Sequence, residues 1–133
     1  MLVKKPMKDG TGKDIGTLIG ILFLSREVAH REHLATKSFA AHMALGNFYD
    51  NIVERADAIT EAYQGRNQVL IKIPFVPYTH GDVDIIECLK EFQAEIEDIR
   101  YTAVSKDDTP IQNLIDEAVA TFLSVIYKLT FLK

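Results

Sequence analysis

Apolar residues recur along most of this chain at helical spacing, and the first predicted helix, from about Asp14 to Thr36, departs from the usual pattern. Its first half, residues 17–24 (TLIGILFL), is apolar nearly all round. A helix at a protein surface shows one apolar stripe, so this helix is expected to be buried on two sides. The core of a bundle can cover one side, and we expect a partner subunit to cover the other.

A second helix is predicted from Phe39 to about Tyr63, with Ser38 as its N-cap and Gly65 as its end. Only a short turn near Lys37 separates the first two helices, so they should pack as antiparallel neighbours. The core face of this helix is predicted from apolar and aromatic residues at helical spacing. They are Leu45, Phe48, Tyr49, Ile52, Val53, Ala56, Ile59 and Tyr63.

Residues 64–81 break the helical pattern. The segment QVLIKIPFVPY alternates, is rich in β-branched residues and contains Pro74 and Pro77, so it should not be helical. About 17 residues, at up to ~3.3 Å each, can travel the length of a bundle. Two short hairpins that flank one long connection are the ferritin-like pattern. The sequence therefore predicts an all-α, ferritin-like four-helix bundle with a long non-helical crossover between its second and third helices.

The remaining helices complete one domain at residues 14–133. The third is predicted from about Asp82 to Tyr101, and the turn SKDDTP leads to a fourth that starts near Pro110, with Thr109 as its N-cap. Residues 1–13 contain Pro and Gly and read as a flexible basic arm.

Charge and composition narrow the class of protein. A formal charge of −4 argues against a body that binds nucleic acid. Cys88 is the only cysteine, so no intrachain disulfide can form, and a reducing compartment fits best. The longest apolar stretch, residues 15–24, is too short for a membrane span, which needs about 20 residues. We expect a cytoplasmic protein with no membrane partner, or one in a host cell or virion if its source is viral.

An acidic stripe follows the second helix. Asp50, Glu54, Asp57 and Glu61 recur at spacings of four, three and four residues. On a helical wheel we interpret this stripe as flanking the apolar face. Carboxylates at i,i+4 repel one another, so a cation that binds between them would offset the cost. The alternative is an ordinary solvated face, or one that pairs with Lys or Arg of a neighbouring helix.

Histidines near the first turn could supply nitrogen ligands. His30 lies near the end of the first helix and His42 near the start of the second, so the turn should bring them close. Imidazole with carboxylate suits iron, zinc or manganese. We read His33 as a surface or packing residue and His80 as structural. Glu27 and His30 form a single Glu-x-x-His pair, whereas the di-iron site within one ferritin-like bundle uses two.

This order and spacing resembles the Dps family (DNA-binding proteins from starved cells). There a His on the first helix is followed twelve residues later by a second His, and an Asp/Glu pair lies further along the second helix. The run DNIVERADAITEAYQG resembles the family's second-helix ending, and DDTPIQNLIDEAVATFLSVIYKLTFL its last helix. The residues that match the family's metal ligands are His30, His42, Asp57 and Glu61.

The resemblance implies a homo-oligomer, expected to be a dodecamer, in which two subunits share each site. His residues would come from one subunit and the Asp/Glu pair from the other, and Fe(II) would be oxidised by hydrogen peroxide or oxygen and then stored. Gly46 stands where the family has another Asp. The loss of that ligand weakens the second iron position, so we expect a weakened ferroxidase. This departure fits a divergent member, and a viral source is one alternative.

The arm is a second candidate element, with Lys4, Lys5, Lys8 and Lys13 against Asp9. Such a segment can contact DNA phosphates without sequence preference, and the effect is multiplied in an oligomer. The alternative is that these lysines only keep a flexible tail soluble. The alternative function for the whole chain is a non-catalytic structural or interaction protein, such as a viral structural component, that keeps the ferritin-like fold. Metal content separates the two functions.

Overall fold

A computed structural model of the chain describes residues 14–133, and the arm predicted at residues 1–13 lies outside them. The described part is all-helical, without a β-strand, as predicted. None of its helices is long and apolar enough to cross a membrane. The four helices are α1 (Ile15–Ala35), α2 (Phe39–Asn67), α3 (Ile85–Ala103) and α4 (Thr109–Phe131).

The first two helices start at the predicted caps. The Asp14 carboxylate accepts a hydrogen bond from the backbone N–H of Thr17 at 2.8 Å. The Ser38 hydroxyl accepts one from the backbone N–H of Ala41 at 3.1 Å. Each side chain thus satisfies one of the N–H groups that the first turn of a helix leaves without a partner.

The predicted end of α2 at Gly65 is wrong, because the helix continues to Asn67. It ends at Gln68, which adopts the left-handed conformation with φ of 54°. A glycine inside a helix costs only about 1 kcal/mol relative to alanine, which a tertiary contact can offset. Arg66 provides such a contact, since its guanidinium donates to both carboxylate oxygens of Asp108 at 3.1 and 3.2 Å.

The starts of the last two helices also differ from the prediction. Asp82 lies in a turn, and α3 begins three residues later with Asp84 as its N-cap. Thr109 is the first residue of α4 and Asp108 occupies the cap position. Asp108 makes no capping hydrogen bond, since its carboxylate accepts from Arg66.

Helix contacts define the connectivity of the bundle. α1 packs against α2 and α3, and α4 packs against α2 and α3. Within the described residues, α2 and α3 do not contact each other and lie on a diagonal. The Arg66–Asp108 pair sets the end of α2 beside the α3–α4 turn, so α2 and α3 run in the same direction. Residues 68–84 therefore cross from one end of the bundle to the other, as the predicted long non-helical crossover requires.

The crossover lies in a groove of α1 that two glycines open. A Cβ atom at Gly16 would collide with the backbone carbonyl of Lys72, and one at Gly20 would lie 2.7 Å from Val76 and 2.9 Å from the Pro74 carbonyl oxygen. The second apolar side of α1 is thus covered by the chain's own crossover and not by a partner subunit. The apolar sequence of α1 therefore no longer argues for an oligomer.

Side chains of the crossover alternate between core and solvent. Val69, Ile71 and Ile73 pack against the hydrophobic core, whereas Leu70 and Lys72 are exposed. Period-two alternation is what an extended chain gives when one side lies against apolar surface. This explains the β-branched pattern of the segment without a sheet.

A buried arginine closes the α3–α4 turn. Arg100 donates to the side chain of Gln112 at 3.0 Å, to Asp116 at 2.6 Å and to Glu97 at 3.1 Å. Gln112 in turn donates to the carbonyl oxygen of Val104 at 3.1 Å. Burial lowers the pKa of Arg100, but the hydrogen bonds and charges of Asp116 and Glu97 outweigh burial and raise that pKa above its usual value. The guanidinium remains charged and partnered.

We expect Gly16→Ala to lower the free energy of unfolding by about 1–3 kcal/mol, since the added methyl group displaces the crossover backbone. Gly65→Ala is the matched control, because its Cβ would meet nothing within 4 Å. It should raise stability by up to about 1 kcal/mol. Urea unfolding followed by circular dichroism measures both. Equal effects of the two substitutions would show that the crossover does not depend on this groove.

Candidate functional site

Two histidines bind each other across the α1–α2 turn. His33 lies in the last turns of α1 and His42 in the first turn of α2. Nδ1 of His33 lies 2.6 Å from the carbonyl oxygen of His42, and Nδ1 of His42 lies 2.8 Å from that of His33. The rings stack with centroids 3.7 Å apart and planes 16° apart. We call this reciprocal pair the histidine clamp.

The clamp determines which ring nitrogen is free. A carbonyl oxygen only accepts, so Nδ1 of both His33 and His42 must carry the proton. In the neutral ring, Nε2 then holds the lone pair. Metal-binding histidines commonly donate their other N–H to a backbone carbonyl in this way. His42 therefore has the tautomer that binding through Nε2 requires.

Gly46 provides the space for the clamp. A Cβ atom there would lie 3.0 Å from Cε1 and 3.2 Å from Nδ1 of His33. From sequence we read Gly46 only as a missing ligand, and the structure gives it a packing reason. The sequence spacing could have indicated this role. Gly46 follows His42 by one helical turn, so both residues face His33.

His30 belongs to the same cluster but through a different contact. Its ring stacks on Tyr49 of α2, with centroids 4.4 Å apart, and lies 6.2 Å from the ring of His33. The guanidinium carbon of Arg26 lies 5.3 Å from the Tyr49 centroid, within cation–π range. The structure therefore brings His30 and His42 to one end of the α1–α2 hairpin, as predicted.

The acidic stripe lies on the outward face of α2, and the interpretation that it flanks the apolar face is wrong. Asp50, Glu54, Asp57 and Glu61 are all exposed. The buried Ile59 is two residues from both Asp57 and Glu61, which is about 200° around a helix. Among residues 14–133, the four carboxylates have no hydrogen-bond or ion-pair partner.

One chain does not bring the predicted ligands together. Asp57 follows His42 by fifteen residues along a continuous helix, a separation of about 22 Å. Among residues 14–133, no three His, Cys, Asp or Glu side chains form a group that could hold a metal ion. The nitrogen and oxygen halves of the candidate site therefore lie towards opposite ends of α2.

His80 makes a second histidine contact, at the end of the crossover. Its Nε2 lies 3.4 Å from carboxylate oxygens of both Glu91 and Glu95 on α3. The ring packs on Phe92, with centroids 4.5 Å apart, and its buried Nδ1 has no hydrogen-bond partner within the described chain. These contacts fit the predicted structural role, since they hold the crossover against α3.

Comparison with known proteins places the chain in a family. Residues 33–129, which are 97 of the 133, match the model of DUF5856, a family of unknown function. The chain belongs to DUF5856. The region matched to DUF5856 contains the histidine clamp, Asp57 and Glu61, and begins after His30. No curated protein and no solved structure matches the chain.

The clamp predicts that two substitutions are coupled. Gly46→Ala alone should lower the free energy of unfolding, because the methyl group pushes the His33 ring from its hydrogen bond and stack. In a His33→Ala background the same change should raise stability by about 1 kcal/mol, since alanine is the better helix former. Urea unfolding of the four proteins gives the coupling energy. Additive effects would show that Gly46 does not serve the clamp.

Proposed function

We propose that the chain is a Dps-like protein of the ferritin-like class that binds iron at a site shared between two copies. His30 and His42 of one copy and Asp57 and Glu61 of the other are the proposed ligands. One observation carries the proposal. α2 presents a preset imidazole near its start and, about 22 Å further along, exposed carboxylates that have no partner within residues 14–133.

An antiparallel pair of α2 helices would unite these halves. The midpoints between His42 and the two carboxylates Asp57 and Glu61 fall near Asp50 and Asn51. A two-fold axis there sets each His42 beside the carboxylates of the other copy, so one axis completes two sites.

The connectivity supports the same proposal. Two antiparallel hairpins joined by a long diagonal crossover are the arrangement of ferritin-like bundles. The contacts of α1 with α3 and of α2 with α4 agree with that arrangement. An up-down-up-down bundle would instead join neighbouring helices by short loops.

The chemistry proposed is oxidation of Fe(II) as substrate. Two Fe(II) ions give one electron each to hydrogen peroxide, which takes up two protons to form two waters. Carboxylates favour the Fe(III) product because hard anionic oxygens stabilise it. Gly46 offers no oxygen for a second iron, and the ring of His33 fills the adjacent space. We therefore propose that iron binds but is oxidised slowly.

The test is iron titration of the natively purified protein. Asp57→Asn with Glu61→Gln should abolish Fe(II) binding measured by anaerobic calorimetry, because both oxygen ligands lose their charge. Asp50→Asn with Glu54→Gln is the matched control, since it removes two carboxylates at the same spacing from the same stripe and should retain binding. Light scattering should give a mass several times that of one chain.

Equal iron uptake by wild type and the Asp57/Glu61 variant would contradict the shared site. The second candidate function, that of a non-catalytic structural or interaction protein, would then replace the iron-binding function. One observation favours it, namely that the rings of His30, His33 and His42 are engaged in packing contacts. A metal-free oligomer is the result expected for that candidate.

A further inference from the structure

A polar cleft of about 280 Å³ lies between α2 and α4. Ala44 of α2 and Ala120 and Ser124 of α4 line it, and such short side chains leave space between the two helices. The buried side chains of Phe48 and Val125 also line it and form its floor. The polar groups of the cleft therefore lie on its walls, above an apolar base.

One cation of the cleft is held in place by contacts across the two helices. Arg55 donates from Nη1 to a carboxylate oxygen of Glu117 at 3.1 Å and from Nε to the hydroxyl of Thr121 at 3.4 Å. The Thr121 hydroxyl donates in turn to the backbone carbonyl oxygen of Glu117 at 2.8 Å. Within residues 14–133, Nη2 of Arg55 makes no hydrogen bond, so its two N–H groups remain available to a ligand.

The second cation of the cleft has no counter-ion among the described residues. Lys128 lines the cleft from α4 and is half-buried, and its ammonium group makes no hydrogen bond or ion pair within residues 14–133. Partial removal of a charge from water without a partner costs free energy. The lining carries two positive charges, on Arg55 and Lys128, against one negative charge on Glu117. A bound anion would offset this imbalance.

The two cations converge on the middle of the cleft. α2 ends beside the start of α4, at the Arg66–Asp108 pair, so the two helices are antiparallel. Long side chains lean towards the N-terminus of their own helix, so those of Arg55 and Lys128 lean towards each other. The Arg55 guanidinium contacts Thr121, and Lys128 lies seven residues, about 10 Å, further along α4. The lean of the lysine side chain shortens this gap.

Neutral hydrogen-bond donors line the cleft between the two cations. Asn47 and Asn51 line it from α2, and Ser124 lines it from α4. Asn51 donates one amide N–H to Oδ1 of Asn47 at 3.3 Å, which leaves its second N–H and both N–H groups of Asn47. A ligand that accepts hydrogen bonds from both walls therefore fits the cleft.

The acidic stripe of α2 does not enter the cleft. Asp50 and Glu54 each precede a lining residue by one position, which is about 100° around the helix. Neither of them lines the cleft. Among the described residues, Glu117 is thus the only carboxylate of the lining.

We propose that the α2–α4 cleft binds a phosphate group, with Arg55 and Lys128 as charged donors and Asn51 and Ser124 as neutral donors. A phosphate group carries close to two charges at neutral pH and presents several acceptor oxygens, so both walls can bind it at once. A carboxylate is planar, carries one charge and is satisfied by a single guanidinium. The group can belong to inorganic phosphate or to a small phosphomonoester. Binding needs no metal, so it stands or fails independently of the iron site.

Titration calorimetry of the full, metal-free chain at constant ionic strength tests the proposal, with inorganic phosphate and glycerol 3-phosphate as probes. Both should bind saturably, and the tighter of the two identifies the source of the group. Arg55→Gln with Lys128→Gln should weaken binding about tenfold or more, because two charge-assisted hydrogen bonds are lost. Glu117→Gln should tighten binding about threefold, because it removes the negative charge that competes for Arg55.

The matched control is Arg66→Gln with Lys90→Gln, which removes the same charge from two ion pairs outside the cleft. It should bind the probes as wild type does, and circular dichroism checks that every variant is folded. Equal affinity of wild type and the Arg55/Lys128 variant would overturn the proposal, as would the absence of saturable binding of either probe. An equal loss in the control would assign binding to overall charge and overturn the cleft as the site.

Discussion

The close approach of the crossover to α1 is the contact on which the rest of the architecture depends. At Gly16 and Gly20 the absence of a Cβ lets an extended backbone lie directly on a helix. Residues 68–84 can then run the length of the bundle, and α3 starts diagonally opposite α2. In this arrangement the long connection packs along α1. Among the described residues nothing covers the outward face of α2, and the ligands proposed for the shared site lie there or at the adjoining α1–α2 turn.

Features determined by local sequence could be predicted, and those determined by distant partners could not. The caps at Asp14 and Ser38 follow from side chains that bond within their own first turn. The end of α2 does not, because Arg66 bonds to Asp108 more than forty residues away. The same pair occupies the carboxylate of Asp108, so α4 begins without a side-chain capping hydrogen bond.

The candidate site shows the same division. The choice of His30, His42, Asp57 and Glu61 as ligands rests on the resemblance to the Dps family and stays a prediction. The proximity of His30 and His42 could be predicted, because one short turn joins their helices. The role of His33 required the packing of α1 on α2, which brings its ring against Gly46. The error in the predicted orientation of the acidic stripe has another origin, because no tertiary contact was needed to avoid it. The 200° between Ile59 and its acidic neighbours was already available from the sequence.

Among residues 14–133, the exposed row of four carboxylates has no partner, and it carries a cost from mutual repulsion at each i,i+4 pair. A surface ion pair would relieve this repulsion only weakly, since such pairs contribute less than about 1 kcal/mol each. In the proposed function, an iron ion held by Asp57, Glu61 and an imidazole of another copy would form several bonds at once. The repulsion within the stripe would then be relieved only in the oligomer, so iron binding and association of two copies would be linked through the same two side chains.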